Sequence, residues 1–152
     1  MSAAPTFHHT GLTVSDIERA LGFWGEALGG TIVVRQEQHG GYFGAIIGES
    51  DAHVKMAQLE LRPGGHRVEL FEFAGNHTRD RYTRPVEVGF AHICIATDDV
   101  EAVMSRLEAA GGSRVSDAVE IDDGVNAGGR AVYVRDPDGH VVEVFQPPLQ
   151  VA

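Results

Sequence analysis

Apolar and polar positions follow the same order twice along this chain. Phe7 to Val14 alternates as a strand, with His8, Thr10, Leu12 and Val14 on one face and Phe7, His9, Gly11 and Thr13 on the other. Ile17, Ala20, Leu21 and Trp24 then keep the i, i+3, i+4, i+7 spacing of one helix face. The pattern returns 83 residues later. Phe90 to Thr97 is the second strand, and Val100, Val103, Met104 and Leu107 form the second helix face. Ser15 with Glu18, and Asp98 with Glu101, are capping signals that open the helices. The paired glycines Gly29-Gly30 and Gly111-Gly112 suit left-handed termination.

The copies match again at their ends. Val68-Glu69-Leu70-Phe71-Glu72 resembles Val142-Glu143-Val144-Phe145-Gln146, now 74 residues apart, so the first copy holds an excess of nine residues, expected around Gly40-Gly41-Tyr42-Phe43-Gly44. Thr31 to Glu37, Val54 to Leu61 and Arg130 to Arg135 read as further strands. Arg62-Pro63-Gly64-Gly65 and Asp136-Pro137-Asp138-Gly139 read as turns. Each half is therefore βαβββ, an α+β pattern. Module one covers about residues 6–73 and module two about 89–147, joined by a linker over about 74–88, within a single domain of residues 1–152. Neither module can cover both faces of its sheet, so the two are expected to pair into one cup-shaped, mostly antiparallel sheet.

Strand alternation then sorts the polar residues. The aliphatic face of each first strand belongs under its helix, which leaves His9 and His92 on the opposite, concave face. Glu69, Phe71 and Phe73 share a face in module one, as do Glu143 and Phe145 in module two. The expected cup thus has a phenylalanine wall and four polar groups. A carboxylate beside phenylalanines is costly to bury without a partner charge. A divalent cation held by His9, Glu69, His92 and Glu143 would cancel that charge. A single strand histidine is usually hydrogen-bonded or solvated, and a strand glutamate usually faces water. The weight comes from both types recurring at matching places in two diverged copies. His8 competes as a ligand, but the repeat pairs His9 with His92 and assigns His8 to the surface. His39, His53, His66, His77 and His140 have no repeat partner and are assigned to solvent. Cys94 shares the face of His92 and reads as core. Two readings of the Gly40 to Gly48 stretch stay open: a mobile flap laying Tyr42 and Phe43 on substrate, or a glycine-rich surface connection. Arg130 could likewise reach a substrate carboxylate or serve its own strand.

Charge narrows the class further. The 152 residues carry 12 Lys and Arg against 22 Asp and Glu, a formal net charge of −10. A nucleic-acid surface needs a basic stripe, so no nucleic-acid partner is expected. No apolar run approaches the ~20 residues that span a bilayer, so no membrane partner is expected either. Met1 to Thr6 lacks the charged and apolar regions of a signal peptide, and the single Cys94 excludes an internal disulfide framework. A cytoplasmic protein is expected.

The stretches His9-Thr10-Gly11-Leu12-Thr13-Val14-Ser15-Asp16 and Asp136-Pro137-Asp138-Gly139-His140-Val141-Val142-Glu143, with the paired final strands, resemble the vicinal oxygen chelate superfamily. That superfamily includes glyoxalase I, methylmalonyl-CoA epimerase, extradiol dioxygenases and the bleomycin and fosfomycin resistance proteins. The resemblance implies paired βαβββ modules around a metal, with ligands at His9, Glu69, His92 and Glu143. It implies a divalent ion (Zn, Ni, Co, Mn or Fe), a small carbonyl-containing substrate and a homodimer. The implied chemistry is proton transfer beside the carbonyl through a metal-stabilised enolate, by an isomerase, epimerase or lyase. Glu143 would be the base and Glu69 its acid or base partner. Phe71, Phe73, Phe145, Tyr42, Phe43 and Arg130 would contact substrate. Two alternatives are an extradiol-type dioxygenase using His9, His92 and Glu143, and a drug-binding resistance protein of the bleomycin type. Bacterial glyoxalase I carries an arginine where this chain has Thr13 and an asparagine where it has Phe73, side chains that help hold glutathione. The stretch His53 to Lys55, where methylmalonyl-CoA epimerase carries a further base, contains no carboxylate. Neither glutathione nor a CoA thioester is therefore expected.

Overall fold

A computed structural model of the chain describes residues 4–75 and 82–149. His77 and the middle of the expected linker lie outside the described residues. The chain separates into two compact units, Met1–Thr78 and Arg79–Ala152.

Unit one runs β1 (His9–Thr13), α1 (Ile17–Leu21), β2 (Thr31–His39), α2 (Gly41–Ile47), β3 (His53–Glu60) and β4 (Arg67–Phe73). Its open sheet has the order β1-β4-β3-β2, with β1 parallel to β4 and the other pairs antiparallel. Unit two runs β5 (His92–Ala96), α3 (Val100–Ala109), β6 (Ser113–Arg114), β7 (Val119–Glu120), β8 (Arg130–Arg135) and β9 (Val141–Gln146). Its sheet has the order β5-β9-β8-β6, with β7 also paired to β8. β5 is parallel to β9, as β1 is to β4. Both sheets are mixed, as the expected α+β class requires. The second strand of unit two, which no continuous apolar run announces, is broken into the short β6 and β7.

The helices pack on the face that alternation assigned to them. Ile17, Ala20, Leu21, Phe23 and Trp24 are buried with Ala57, Leu59, Val68 and Leu70. In unit two, Val100, Val103, Met104 and Leu107 are buried with Val132, Val134, Val142 and Val144. Each large side chain so buried contributes roughly 1.5–3 kcal/mol. Beyond Leu21 the first helix widens into a π-helix, Gly22–Ala27. Its wider turn rotates the helix face, and the adjacent Phe23 and Trp24 are both buried.

The helix caps correct the sequence reading by one residue. Asp16 accepts from the Arg19 N–H at 2.9 Å, and Asp99 accepts from the Ala102 N–H at 2.9 Å. The capped N3 donors are thus the Arg19 and Ala102 N–H, one residue beyond the Glu18 and Glu101 N–H that caps at Ser15 and Asp98 would satisfy. A second support repeats between the units. Glu72 Oε2 accepts from the Ile17 N–H at 2.8 Å, and its counterpart Gln146 Oε1 accepts from the Val100 N–H at 3.1 Å. The last strand of each unit thus holds the first turn of that unit's helix. The glycine stops occur where expected, with Gly30 N–H to Gly25 O at 2.7 Å and Gly112 N–H to Leu107 O at 2.8 Å.

The Gly40 to Gly48 excess is built around a helix rather than being only a glycine-rich connection. It contains α2, entered through Gly40 (φ 53°) and ended at the left-handed Gly48 (φ 77°). Among the described residues, no helix is long and apolar enough to cross a membrane.

Candidate active site

Parallel pairing of first and last strands sets a histidine next to a glutamate in each unit. His9 starts β1, and Glu69 lies on β4 opposite Gly11. His9 Nε2 is 3.1 Å from Glu69 Oε2. His92 starts β5, and Glu143 lies on β9 opposite Cys94. His92 Nε2 is 2.9 Å from Glu143 Oε2. The four expected ligands therefore fall into two matching pairs.

The surroundings of the pairs differ. Glu69 is buried, and its other carboxylate oxygen accepts from Gln58 Nε2 at 2.7 Å. Gln58 in turn accepts from Arg67 at 3.1 Å, while Arg67 Nε donates to Glu60 at 2.8 Å. Gln58 gave no signal in the sequence, although it faces Glu69 across the β3–β4 ladder. His8 is exposed, as expected, and its Nδ1 lies 2.8 Å from His9 Nδ1, a contact that orients the His9 ring. In unit two, His92 and Phe90 lie beside Tyr133, with ring centroids 5.0 and 6.3 Å from it. Burial pushes the Tyr133 hydroxyl above its ordinary pKa, and the Glu143 charge adds to that. Burial likewise pushes the Cys94 thiol up, helped by the charge of Glu143 and a hydrogen bond to it. Cys94 is exposed rather than core.

The residues present fit a divalent cation. Glu69 is a buried carboxylate whose described neighbours are a neutral amide and an imidazole, and a cation would offset that burial. Each unit's pair offers one imidazole nitrogen and one carboxylate, donors that first-row divalent ions accept.

Unit one also carries a cavity of about 530 Å³. His9, Gly11 and Thr13 line it from β1, Gln36 and Gln38 from β2, Val54 and Met56 from β3, and Glu69, Phe71 and Phe73 from β4. Tyr42, Phe43, Ile46 and Ile47 complete it from α2. Phe43, Phe71 and Phe73 stack with centroids 5.2 to 6.3 Å apart. Gly11 makes room for this wall, since a Cβ there would lie 3.1 Å from the Phe71 ring. The Tyr42 hydroxyl accepts from Gln38 at 2.8 Å. No lysine or arginine is among the lining residues.

Phe145 shares the face of Glu143 by strand alternation. Arg130 does not. It alternates with Val132 and Val134 on the helix side, and its guanidinium pairs with Glu101 of α3 at 3.1 Å.

The sequence profile of the Glyoxalase/Bleomycin resistance protein/Dioxygenase superfamily matches residues 6–144. The chain belongs to this superfamily. The resemblance carried by the two motifs and the paired final strands is thereby borne out. Within the superfamily, the 2-epi-5-epi-valiolone epimerase of an Actinomyces species is 32% identical over 149 residues, spanning 95% of this chain and 81% of that protein. The lactoylglutathione lyase of Pseudomonas putida is 30% identical over 157 residues, spanning 93% and 84%. These relatives are enzymes. A glyoxalase family protein from Bacillus cereus, at 20% identity, superposes with a TM-score of 0.84 over 97% of each chain, a likeness of fold.

Proposed function

We propose that this chain is a divalent-metal-dependent enzyme that moves a proton on the carbon beside a substrate carbonyl, as an epimerase, isomerase or lyase. The observation that carries the reading is the His–Glu pair repeated in both units, at 3.1 and 2.9 Å. His9, Glu69, His92 and Glu143 are the proposed ligands. When bound, a divalent ion polarises the substrate carbonyl as a Lewis acid and so acidifies the neighbouring C–H. With its Nδ1 directed at His8, His9 offers Nε2 as the donor atom.

Glu143 is the proposed base. Its side chain is 23% exposed against 9% for Glu69, and Glu69 is further held by Gln58. Isomerisation follows if Glu143 returns the proton it took to a neighbouring atom, and epimerisation if a protonated Glu69 delivers a proton to the opposite face of the same carbon. Either route balances without an oxidant. Phe43, Phe71 and Phe73 exclude water from the bound substrate, while Gln36, Gln38 and Tyr42 can orient its polar groups.

The proposed substrate is a small neutral carbonyl compound. A cavity without lysine or arginine gives no counter-charge to the carboxylates of glutathione or the phosphates of a CoA thioester. The relationship to an epimerase supports the same class.

Elemental analysis of the purified chain, followed by carbon-bound deuterium exchange in heavy water, tests the proposal. Expected are a bound divalent metal and exchange beside the carbonyl of neutral cyclic or aromatic ketones, lost on chelation. Exchange that persists after chelation, or catechol ring opening without exchange, would overturn it.

A further inference from the structure

The base of unit one's excess segment brings Glu37 together with His39 and His53, two histidines that the sequence reading assigned to solvent. Glu37 and His39 lie two residues apart on β2 and so share a face. His39 is paired with His53 of β3 across the antiparallel ladder, and Glu37 with Lys55. The two imidazoles stack with centroids 3.7 Å apart, and Glu37 Oε1 is hydrogen-bonded to His53 Nε2. One ligating atom from each of Glu37, His39 and His53 lies within 4.8 Å of the others.

We propose that Glu37, His39 and His53 form a second metal site, separate from the His–Glu pairs, that takes a tetrahedral ion of the zinc type with water as fourth ligand. Two imidazoles and one carboxylate are a donor set zinc accepts. With Zn–N and Zn–O bonds of about 2.0–2.2 Å, tetrahedral donors stand roughly 3.3–3.5 Å apart. Closing on an ion therefore takes shifts of about an ångström, together with rotation of the stacked His39 and His53 rings so that their in-plane nitrogen lone pairs converge. Lys55 is the nearby cation on this face, and its ammonium is engaged by Glu72 Oε1 at 2.7 Å. The site is on the sheet face opposite the cavity, because Gln36 and Gln38 line the cavity and alternate with Glu37 and His39.

Its position gives the site a purpose. Residues 40–52 leave the sheet after His39, form α2 and return at His53. The Gly40 N–H already donates to Ala52 O at 2.7 Å, so the backbone at the base of the loop is closed before any ion binds. An ion bridging His39 and His53 adds a side-chain clasp at the same base. It pins the segment that lays Tyr42 and Phe43 against the cavity. Metal at this site would thus set the rigidity of the substrate wall while taking no part in the proton transfer.

Zinc titration by calorimetry on the full chain carrying His9→Ala and His92→Ala isolates the second site from the first. One zinc per chain is expected to remain. Adding His39→Ala or His53→Ala should weaken it by about 100-fold or more, since even outer-shell partners of a metal are worth about 10–100-fold. Failure of the double variant to bind zinc overturns the proposal, as does binding indifferent to His39 and His53. Side-chain nitrogen NMR of the unsubstituted chain gives a readout independent of any variant's folding. The His39 and His53 ring nitrogens must shift on zinc addition, and unchanged signals at both overturn the assignment.

Discussion

The two units share one scaffold and use it differently. In both, the first strand runs parallel to the last, and a histidine meets a glutamate within 3.1 Å. In both, the last strand also accepts from the first turn of the helix. Unit one adds α2, a phenylalanine cluster and a carboxylate buried against Gln58. Among the described residues unit two has no counterpart of α2, and its glutamate is more open, beside Cys94 and Tyr133. What repeats is the set of groups that can hold an ion, and what differs is the set that would meet a substrate. The His–Glu contact is common to both units, whereas the wall of α2 and phenylalanines belongs to unit one.

The strongest test of this division removes what the units share. His9→Ala combined with His92→Ala should abolish metal-dependent deuterium exchange and bring metal content at the His–Glu pairs to background, read by exchange NMR and elemental analysis. The next separates the two carboxylates. Glu143→Gln should lower the exchange rate by about 10²–10⁴-fold as the loss of a general base. Glu69→Gln should chiefly lower metal affinity. Equal effects of the two substitutions on exchange at saturating metal would remove the distinction between base and ligand.

Stability measurements then compare the helices. Trp24→Ala should cost about 3–5 kcal/mol and its counterpart Leu107→Ala about 2–5 kcal/mol, from urea midpoints. Gly40→Ala touches only the added wall. It forces a side chain onto a backbone at φ 53°, with its Cβ 2.6 Å from Ser50 O. A loss of about 1–3 kcal/mol is expected, with faster amide exchange confined to α2 and the adjoining strand ends.

The smallest effect concerns the repeated helix support. Lys55, followed by the Ile17 N–H, holds the Glu72 carboxyl below its ordinary value of 4.5. A carboxyl depressed on folding stabilises the fold above that ordinary value, and the stabilisation is lost as pH falls through the folded value. Gln146 in the equivalent place does not titrate. Glu72→Gln should therefore lower stability modestly at neutral pH, change it least near pH 3, and so flatten the acid side of the stability curve, read from urea midpoints between about pH 3 and pH 7.

Much of this was legible in the chain because strand alternation and helix spacing are local and the chain states them twice. His9 and Glu69 could be placed on one face without knowing any contact between them. Features present in one copy only were not legible. α2 is hidden by Gly40, Gly41, Gly44 and Gly48, whose composition reads as loop. The cluster at His39 and His53 depends on cross-strand register, which side-chain identity alone does not specify. Gln58 is an ordinary polar strand residue until its neighbour is known. Arg130 illustrates the opposite error. Its chemistry suited a carboxylate ligand, but Glu101 of its own helix met it first.

The parallel contact between β1 and β4 also orders events in time. His9 and Glu69 stand at the two ends of a module, and nearly all of that module must be made before they can meet. Closing so long a loop is entropically slow, and non-local pairing of this kind sets the pace of folding. During synthesis His9 emerges first and waits for a partner that arrives with the module's final strand. The proposed metal site is thus completed late, with the module's final strand, and the His9–Glu69 contact marks completion of the module.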